Sequence, residues 1–590
     1  MVSDDLAQLS AATHWHDPII IVGANPVGLI TALGLAYYRI PSVVVDEGSG
    51  TSLESNQLAL LDQSTLAILD TWSQSGQQIV ANGVIPTGER VLFRKSQLYR
   101  APLAVYEPGM PYPRLLNIHQ ATLEHLLLQI LQRVGGCQVL WQHSVRGMVQ
   151  DHEGVDIELA TPGGNKYLRV PYLLVTNGPP TPMHDALGIN HTGTTPDQRF
   201  LSLDILTKLE NPHERWYWFD APFNPGYITQ LHPLPDGIVR VVYQLRPGED
   251  PAAIGRPDAL QQRIVNMLGQ RSYEVIALNT HSYQRRAIEQ FKHERLLFLG
   301  SAAHSLSLFG ASEANSGAQD AWNLVWKLAL VRAGLAMEES LLDTYHIERH
   351  AAAVAYLEST NETMSFLTPP RGLAEWKRNT TLKLSQPFKV MRNSIQLGDS
   401  SGSYTYKNSP IFSDDHRLYL GGRFTELSGE QSAALKRFRL GPQVGTLAPL
   451  LTLPDADIGT PVSLLARSAQ GFVALCFTAD VEMALAVLQQ VPMQISGVPI
   501  SFLVITPLMP AVPAEGGITI VLDADHKAAN AYNTGPRSLY LIRPDRVIAA
   551  RRFDSDFNDI PALLRHAVGE DVVDTQSRIR RPETKLSASQ

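Results

Sequence analysis

The stretch IIIVGANPVGLITALGLAYY, residues 19 to 38, sets a strand of branched apolar residues against a glycine turn and a long apolar helix. Three such pieces in a row specify a parallel βαβ unit more narrowly than anything else in the chain. Gly23 supplies the tight turn out of the strand, and Gly28 lets the helix pack closely on it. Between them a dinucleotide-binding turn carries a further glycine, where a diphosphate comes close to the backbone and the helix N-terminus. Asn25 stands in that place here, followed by Pro26. Asn tolerates positive φ better than most residues, so the backbone is expected to turn as usual while a phosphate has less room. The next strand, SVVVDE, ends in Asp46 and Glu47, about twenty residues on, where a ribose-binding carboxylate belongs. The same pattern also suits a purely structural βαβ unit with surface acids.

Residues 19–48 therefore read as half of a doubly wound α/β domain. A helix is expected over 120–134 (QATLEHLLLQILQRV) from apolar residues three and four apart. Alternating strands follow over 138–149 and 154–160, then a turn at Gly163-Gly164 and a buried strand in YLLVTNG. From about 195 to 285 the short strands RWYWFD, GYITQLHPL and IVRVVYQL, broken by Pro, Asp and Gly, predict an antiparallel sheet inserted into the α/β domain. RLLFLG (295–300) returns to the first style and leads into helices over 315–335 and 339–361, after which 365–410 reads as polar linker. GFVALCF, SFLVITPL, GITIVLD and SLYLIRP mark a separate C-terminal α/β domain.

A formal net charge of −8 with a pI near 6.1 argues against nucleic-acid binding, which needs a basic face. The basic end, RIRRPETKLSASQ, reads as a solvated tail. Cys137 and Cys476 stand far apart with no CxxC, which supports neither a disulfide framework nor a zinc site, and no other metal-ligand spacing occurs. The acidic, polar N-terminus is unlike a secretory leader, and no apolar run reaches the about 18 residues of a membrane span. A cytoplasmic protein with no membrane partner is expected.

With these pieces in view, the chain resembles the FAD-dependent aromatic hydroxylases of the p-hydroxybenzoate hydroxylase fold. It is most similar to the phenol hydroxylase and 3-(3-hydroxyphenyl)propionate hydroxylase-like branch. The resemblance is carried by IIIVGANPVGL, YLLVTNGPPTPMHDALGI, RVVYQLRPGEDP, LLFLGSAAHSLSLFGASEANSGAQDAWNLVWKLALV, LLDTYHIERH and SLYLIRPDRVIAARR. It implies an α/β fold: a doubly wound, glutathione-reductase-like FAD-binding domain, an inserted antiparallel-sheet substrate domain and a C-terminal thioredoxin-like domain that is structural or interfacial, not redox-active. The expected division is 1–190 and 286–400 for the FAD-binding domain, with small substrate-domain insertions in the first part and helices in the second. The substrate sheet takes 191–285, a linker 401–440, the thioredoxin-like domain 441–575 and a tail 576–590.

The resemblance also implies the cofactor contacts, and many are altered. They fall at Gly23, Asn25, Pro26, Gly28, Asp46 and Glu47, at Gln57 in place of an Arg, and at Gln120 with Glu124 behind it. Asn177-Gly178 replaces an Asp-Gly, His184 replaces an Arg, and Gly300-Ser301 replaces a Gly-Asp. Beneath the flavin ring the family's glycine-rich run becomes Leu308, Phe309, Gly310, Ala311, Ser312, Glu313, Ala314 and Asn315. Glu313 brings a carboxylate where negative charge develops on the ring, the wrong sign for a helix N-terminus meant to stabilise it. Losing two or three hydrogen bonds to charged groups, at roughly 1.5–3 kcal/mol each, predicts FAD binding that is weakened or lost.

On the substrate side, Trp216, Tyr217, Trp218, Phe219, Tyr227, Gln230, His232 and Tyr243 lie in the inserted sheet. Packing accounts for most of them. Gln230 and His232 alternate onto one face and could hydrogen-bond a phenol, and Tyr227 and Tyr243 join them as candidate substrate residues. His304 suits packing as well as function. No residue is assigned a catalytic role.

Three functions stay open on these residues. One is a class A monooxygenase using FAD, NAD(P)H and O₂ through a C4a-hydroperoxide to hydroxylate a phenolic or polyketide-like small molecule. The others are a flavin-deficient relative catalysing a non-redox cyclisation or rearrangement, and an inactive partner subunit. The family's habit of dimerising makes a homodimer an expectation as well.

Overall fold

Ile and Val side chains are branched at Cβ and stiff in χ1, which suits a pleated, buried strand. Strand β1 (Ile19–Val22) is accordingly buried at every residue in the computed structural model of the chain. The structure describes residues 17–51, 57–107, 110–178, 181–194, 198–282, 285–305, 313–370, 372–388, 392, 395, 404–415, 429–456, 461–463, 467–468, 470–509, 513 and 516–571. Helix α1 (Pro26–Tyr37) starts with proline at its first position, where the missing N–H costs nothing, and is buried from Pro26 to Leu35.

β2 (Ser42–Asp46) and β4 (Leu173–Val175) flank β1, both parallel to it. β3 (Cys137–Trp141) lies parallel outside β2, and β6 (Leu296–Phe298) parallel outside β4. The short β5 (Lys292–His293) closes that edge antiparallel, giving the order β5-β6-β4-β1-β2-β3. The chain builds outward from β1 through β2 to β3 and then crosses to β4 and β6. The switch falls beside β1, and in sheets of this kind ligands bind at the strands' carboxyl ends there. Helix α2 (Gln120–Val134) matches its expected span and turns Leu123, Leu127, Ile130 and Leu131 inward.

The inserted sheet has seven strands, in the order Tyr273–Ser282, Arg199–Thr207, Ile238–Gln244, Asn224–Pro233, Glu214–Ala221, Gly88–Phe93 and Ser96–Pro102. Its last two strands come from before residue 191, and Gly88–Phe93 pairs parallel with Glu214–Ala221. The expected antiparallel sheet thus includes one parallel pair, and two of its strands belong to the first part of the chain. Hairpin alternation in 88–102 is visible in the sequence, but a partner more than a hundred residues away is not. One face packs Trp216, Trp218, Leu231 and Val241 against Leu260, Ile264 and Leu268 of the helix Pro257–Leu268. The other packs Val91, Tyr217, Phe219 and Val242 with Met364, Leu367 and Leu382.

The described residues fall into two units, one holding residues through Trp322 with 353–402, the other 323–352 with everything from 403 on. Helices α3 (Glu313–Arg332) and α4 (Glu338–Leu367) are shared between the two sets. A boundary drawn along the sequence near 400 therefore differs from the one the packing makes. The expected linkers are corrected too. Leu373–Ser385 is helical, and Gly429–Leu440 is a helix whose Ala434, Leu435 and Phe438 enter the second unit's core. Their charged faces hid that spacing.

In the second unit, Phe472–Thr478, Val498–Thr506 and Ile518–Leu522 are parallel neighbours, while Arg537–Ile542 and Ile548–Arg552 extend the sheet antiparallel. Cys476 is buried in the central strand, and burial pushes its thiol far above the ordinary range. A shift in that direction disfavours the thiolate that redox exchange requires.

Candidate functional site

The carboxyl ends of β1, β2 and β4 surround a cleft of about 400 Å³, lined by Asn25, Asp46, Glu47, His143, Asn177 and Thr181 among others. That is within the roughly 300–1,000 Å³ of small-molecule sites. The turn at its mouth keeps its shape. Gly23 has φ 113°, and a Cβ there would stand 1.9 Å from Asn177 Oδ1. A Cβ on Gly28 would stand 1.9 Å from the Gly23 carbonyl oxygen.

Asn25 occupies the turn differently from a glycine. Its backbone is extended, at φ −74° and ψ 172°, so no left-handed conformation is needed. Its side chain caps α1: Oδ1 accepts from the Gly28 N–H at 3.0 Å. Its Nδ2 donates to the Thr176 carbonyl at 2.9 Å and reaches Asn177 Oδ1 at 3.4 Å. The Ser301 hydroxyl donates to that same Thr176 carbonyl at 3.0 Å. Asn25, Asn177 and Ser301, set apart along the chain, are thus knitted together over the β1–β4 edge. The amide that a bound diphosphate would meet at the helix start is already satisfied, and Pro26 offers none.

The acidic pair divides its work. Asp46 accepts from the Ala24 N–H and the Gly48 N–H, both at 2.8 Å, and so fixes the loops around the cleft. Glu47 is exposed, lines the cleft and has no partner among the described residues. Of the acidic pair it is the one left open to the cleft. Gln120 donates to Glu124 at 2.8 Å, and burial, then the Asp46 charge, pushes the Glu124 carboxyl up. Gln57 is exposed and gives its backbone carbonyl to the Gln120 N–H.

Other candidates serve the frame. His184 is stapled between Thr181 Oγ1 at 2.6 Å and the Ala302 carbonyl at 2.9 Å, and burial lowers its affinity for a proton. Gly300, at φ 55°, packs against Val27, and its N–H is held by Asp320 at 3.0 Å. His304 Nε2 lies 2.8 Å from the same carboxylate, fully buried, so it belongs to the packing of this turn. Asn315 accepts from the Asp62 N–H and Thr65 Oγ1 and donates to the Leu60 carbonyl, tying the start of α3 to the strand Leu58–Asp62. Every polar atom of its side chain is used. Glu313 opens α3, where the helix dipole favours a carboxylate, and accepts a long contact from Ser305 at 3.4 Å; Ala314 is buried behind it. Phe309 and Gly310, with Leu308, Ala311, Ser312, Pro179 and Pro180, lie outside the described residues. Among the described residues no cluster of metal-ligating side chains occurs.

On the inserted sheet, Gln230 and His232 share the face that carries Tyr217, with His232 Nε2 donating to Gln230 Oε1 at 3.0 Å. Among the described residues the Gln230 amide nitrogen is buried with no partner. Beside them lies the buried pair Arg240–Asp204, at 2.6 and 2.7 Å. Burial, and then the Arg240 charge, lower the affinity of His119 for a proton. Tyr243 is on the opposite face with Leu201, Leu245 and Ile254, its hydroxyl on the Phe223 carbonyl. The half-buried Tyr227 alternates onto that same far face. The four expected substrate residues are therefore not one group, and only Gln230 and His232 meet. Reasoning along the sequence missed Arg240, Asp204 and His119, whose meeting requires strand register. It also missed His143, which the end of β3 in LWQHS could have suggested.

The glycine turn, and the carboxylate of Glu47 and the ring of His143 that line the cleft, are groups that could hold an adenine dinucleotide. A doubly wound sheet with such a cleft, beside a large sheet bearing a polar inner face, defines a flavin-binding oxidoreductase architecture. A family model described as FAD binding domain matches residues 17–360, and the chain belongs to the FAD-dependent aromatic hydroxylase family. It is 27% identical over 463 residues to a 3-(3-hydroxy-phenyl)propionate/3-hydroxycinnamic acid hydroxylase of Klebsiella pneumoniae, covering 76% of this chain and 77% of the relative. The flavin-dependent monooxygenase PieE, solved with FAD and substrate, superposes with a TM-score of 0.75 at 20% identity, over 94% of this chain and 99% of that one. Aklavinone-11 hydroxylase, solved with FAD and aklavinone, gives 0.72 at 21% identity over the same shares. These two likenesses are of fold. No helix among the described residues is long and apolar enough to cross a membrane.

Proposed function

We propose that this chain is an FAD-dependent monooxygenase that adds one hydroxyl group to a phenolic or polyketide-like aromatic molecule. NAD(P)H and O₂ would be the co-substrates, and with one proton taken up they give the hydroxylated product, water and NAD(P)⁺. The observation that carries the reading is the family match over residues 17–360, joined to a cleft at the topological switch point. FAD, when bound, would supply the activation of O₂. The chain's part is to seat and orient. Glu47 accepts from the ribose hydroxyls, and the start of α1 faces the diphosphate. Asp46 fixes the loops between them.

On the substrate side, the buried amide of Gln230 donates to a phenolic oxygen, and His232 holds that amide in orientation through the Gln230 carbonyl. The knit of Asn25, Asn177 and Ser301 supports weak FAD binding, because its bonds must open or yield before a diphosphate gains the helix start. The purified chain is titrated with FAD and followed by visible absorption and flavin fluorescence. Saturable binding, followed by NAD(P)H oxidation that a phenolic compound accelerates with product formation, is the expected result. A chain that binds no FAD would overturn the proposal and leave the non-redox or partner role.

A further inference from the structure

His143 lies two residues beyond the end of β3, and the chain turns through Gln142 at φ 59° to place it. Its backbone N–H donates to the Asp46 carbonyl at 2.8 Å, and the Gln142 N–H donates to the Gly48 carbonyl at 2.8 Å. The ring is thus fixed to the same loop that Asp46 holds in place. His143 is 4% exposed and lines the cleft beside Glu47 and Ser144. Its Nδ1 lies 2.7 Å from the Trp141 carbonyl oxygen. A carbonyl can only accept, so Nδ1 carries the hydrogen, and Nε2 of the neutral ring is left with a lone pair. Among the described residues Nε2 is buried with no partner. A buried acceptor left unmade is destabilising, and His143 lines the cleft from which a donor can come.

We propose that His143 is the base-reading residue of this cleft, its Nε2 accepting a hydrogen bond from the exocyclic amine of adenine. The assignment rests on the cleft being the FAD seat, and it goes further by naming what selects the base. Adenine presents an amine donor at the position where hypoxanthine and guanine present a carbonyl acceptor. Against a fixed lone pair the carbonyl is repelled and both groups stay unpaired, the arrangement that rejects an analogue most strongly. Glu47, on the neighbouring strand end, remains for the ribose, so base and sugar are read by different residues.

The test compares adenosine diphosphate with inosine diphosphate, whose bases differ in the group at C6 and in the hydrogen this places on N1, by calorimetric titration of the full chain freed of copurified nucleotide. Wild-type chain is expected to bind the inosine compound about tenfold more weakly or worse, and this comparison needs no variant. His143→Phe should weaken adenosine diphosphate about tenfold and bring the two ligands to near equality. His143→Gln, which keeps an acceptor oxygen, should recover part of the preference. Equal binding of both ligands by wild-type chain, or an unchanged preference in a folded His143→Phe, overturns the assignment while leaving the FAD seat standing. If wild-type chain binds neither adenosine diphosphate nor FAD, the seat itself is wrong and the assignment falls with it.

Discussion

Asn25 shows how one side chain can change a site without disturbing its backbone. In a turn built for close approach of a phosphate, its amide takes over as an internal cap, satisfying Gly28 and reaching across to β4. Asn25→Gly removes that plug. Replacing an N-cap by glycine costs only a few tenths of a kcal/mol, and the Gly28 amide becomes available to a charged acceptor, a bond worth about 1.5–3 kcal/mol. The variant is expected to bind FAD about tenfold more tightly by fluorescence titration, with thermal stability nearly unchanged. Unchanged affinity would show that the cap is no obstacle. The turn's identity was readable from its spacing. What Asn25 does there was not, because its partners Thr176 and Asn177 lie about 150 residues away and meet it only once β4 pairs with β1.

Helices α3 and α4 carry a cluster of buried charge. Within the second unit, Glu348 of α4 accepts from Arg543 at 2.7 and 2.9 Å, from Lys327 of α3 at 3.1 Å, and from Ser409 at 2.6 Å. Burial alone would raise the Glu348 carboxyl, but the Arg543 and Lys327 charges outweigh it and hold the group far below the ordinary range. Burial pulls the Lys327 ammonium down to about 8 despite the Glu348 charge. Glu348→Gln leaves two cations short of a counter-charge, and breaking such a pair costs about 3–5 kcal/mol. A carboxylate lowered by folding adds stability that is complete above its ordinary value near 4.5 and is lost as pH falls below it. The wild type's advantage over Glu348→Gln, measured by denaturant unfolding, should therefore be full at pH 7 and shrink from about pH 4.5 downward. Lys327 has the converse profile: its burial penalty is full below about 8 and fades toward 10.5. An advantage that does not change between pH 7 and pH 3 would contradict the assignment. The helices themselves were legible from their spacing, whereas the use of Lys327 and Glu348 as a buried hub was not, since charges on a helix usually face water.

At the scale of the whole molecule, the second unit draws on two separated lengths of chain, 323–352 and the part from 403 on. A cut near residue 402, natural on a reading by sequence order, would part Glu348 from Arg543 and Ser409, and Arg349 from Tyr406. The piece 1–402 is expected to aggregate or to melt well below the full chain, as followed by light scattering and circular dichroism. A monomeric piece that keeps the full chain's melting temperature and FAD affinity would show the interleaving to be of no consequence.

The sequence by itself determined the family, the doubly wound nucleotide domain and the positions of its turn, acids and long helices, because those features are written in neighbours a few residues apart. Tertiary structure decided which residues became partners. It brought Gly88–Phe93 against Glu214–Ala221, separated Tyr243 from Gln230, spent Asp46 on the loops and left Glu47 and His143 facing the cleft. Hydrogen-bond satisfaction is settled by atoms that meet in space, and strand pairing between distant segments sets those meetings.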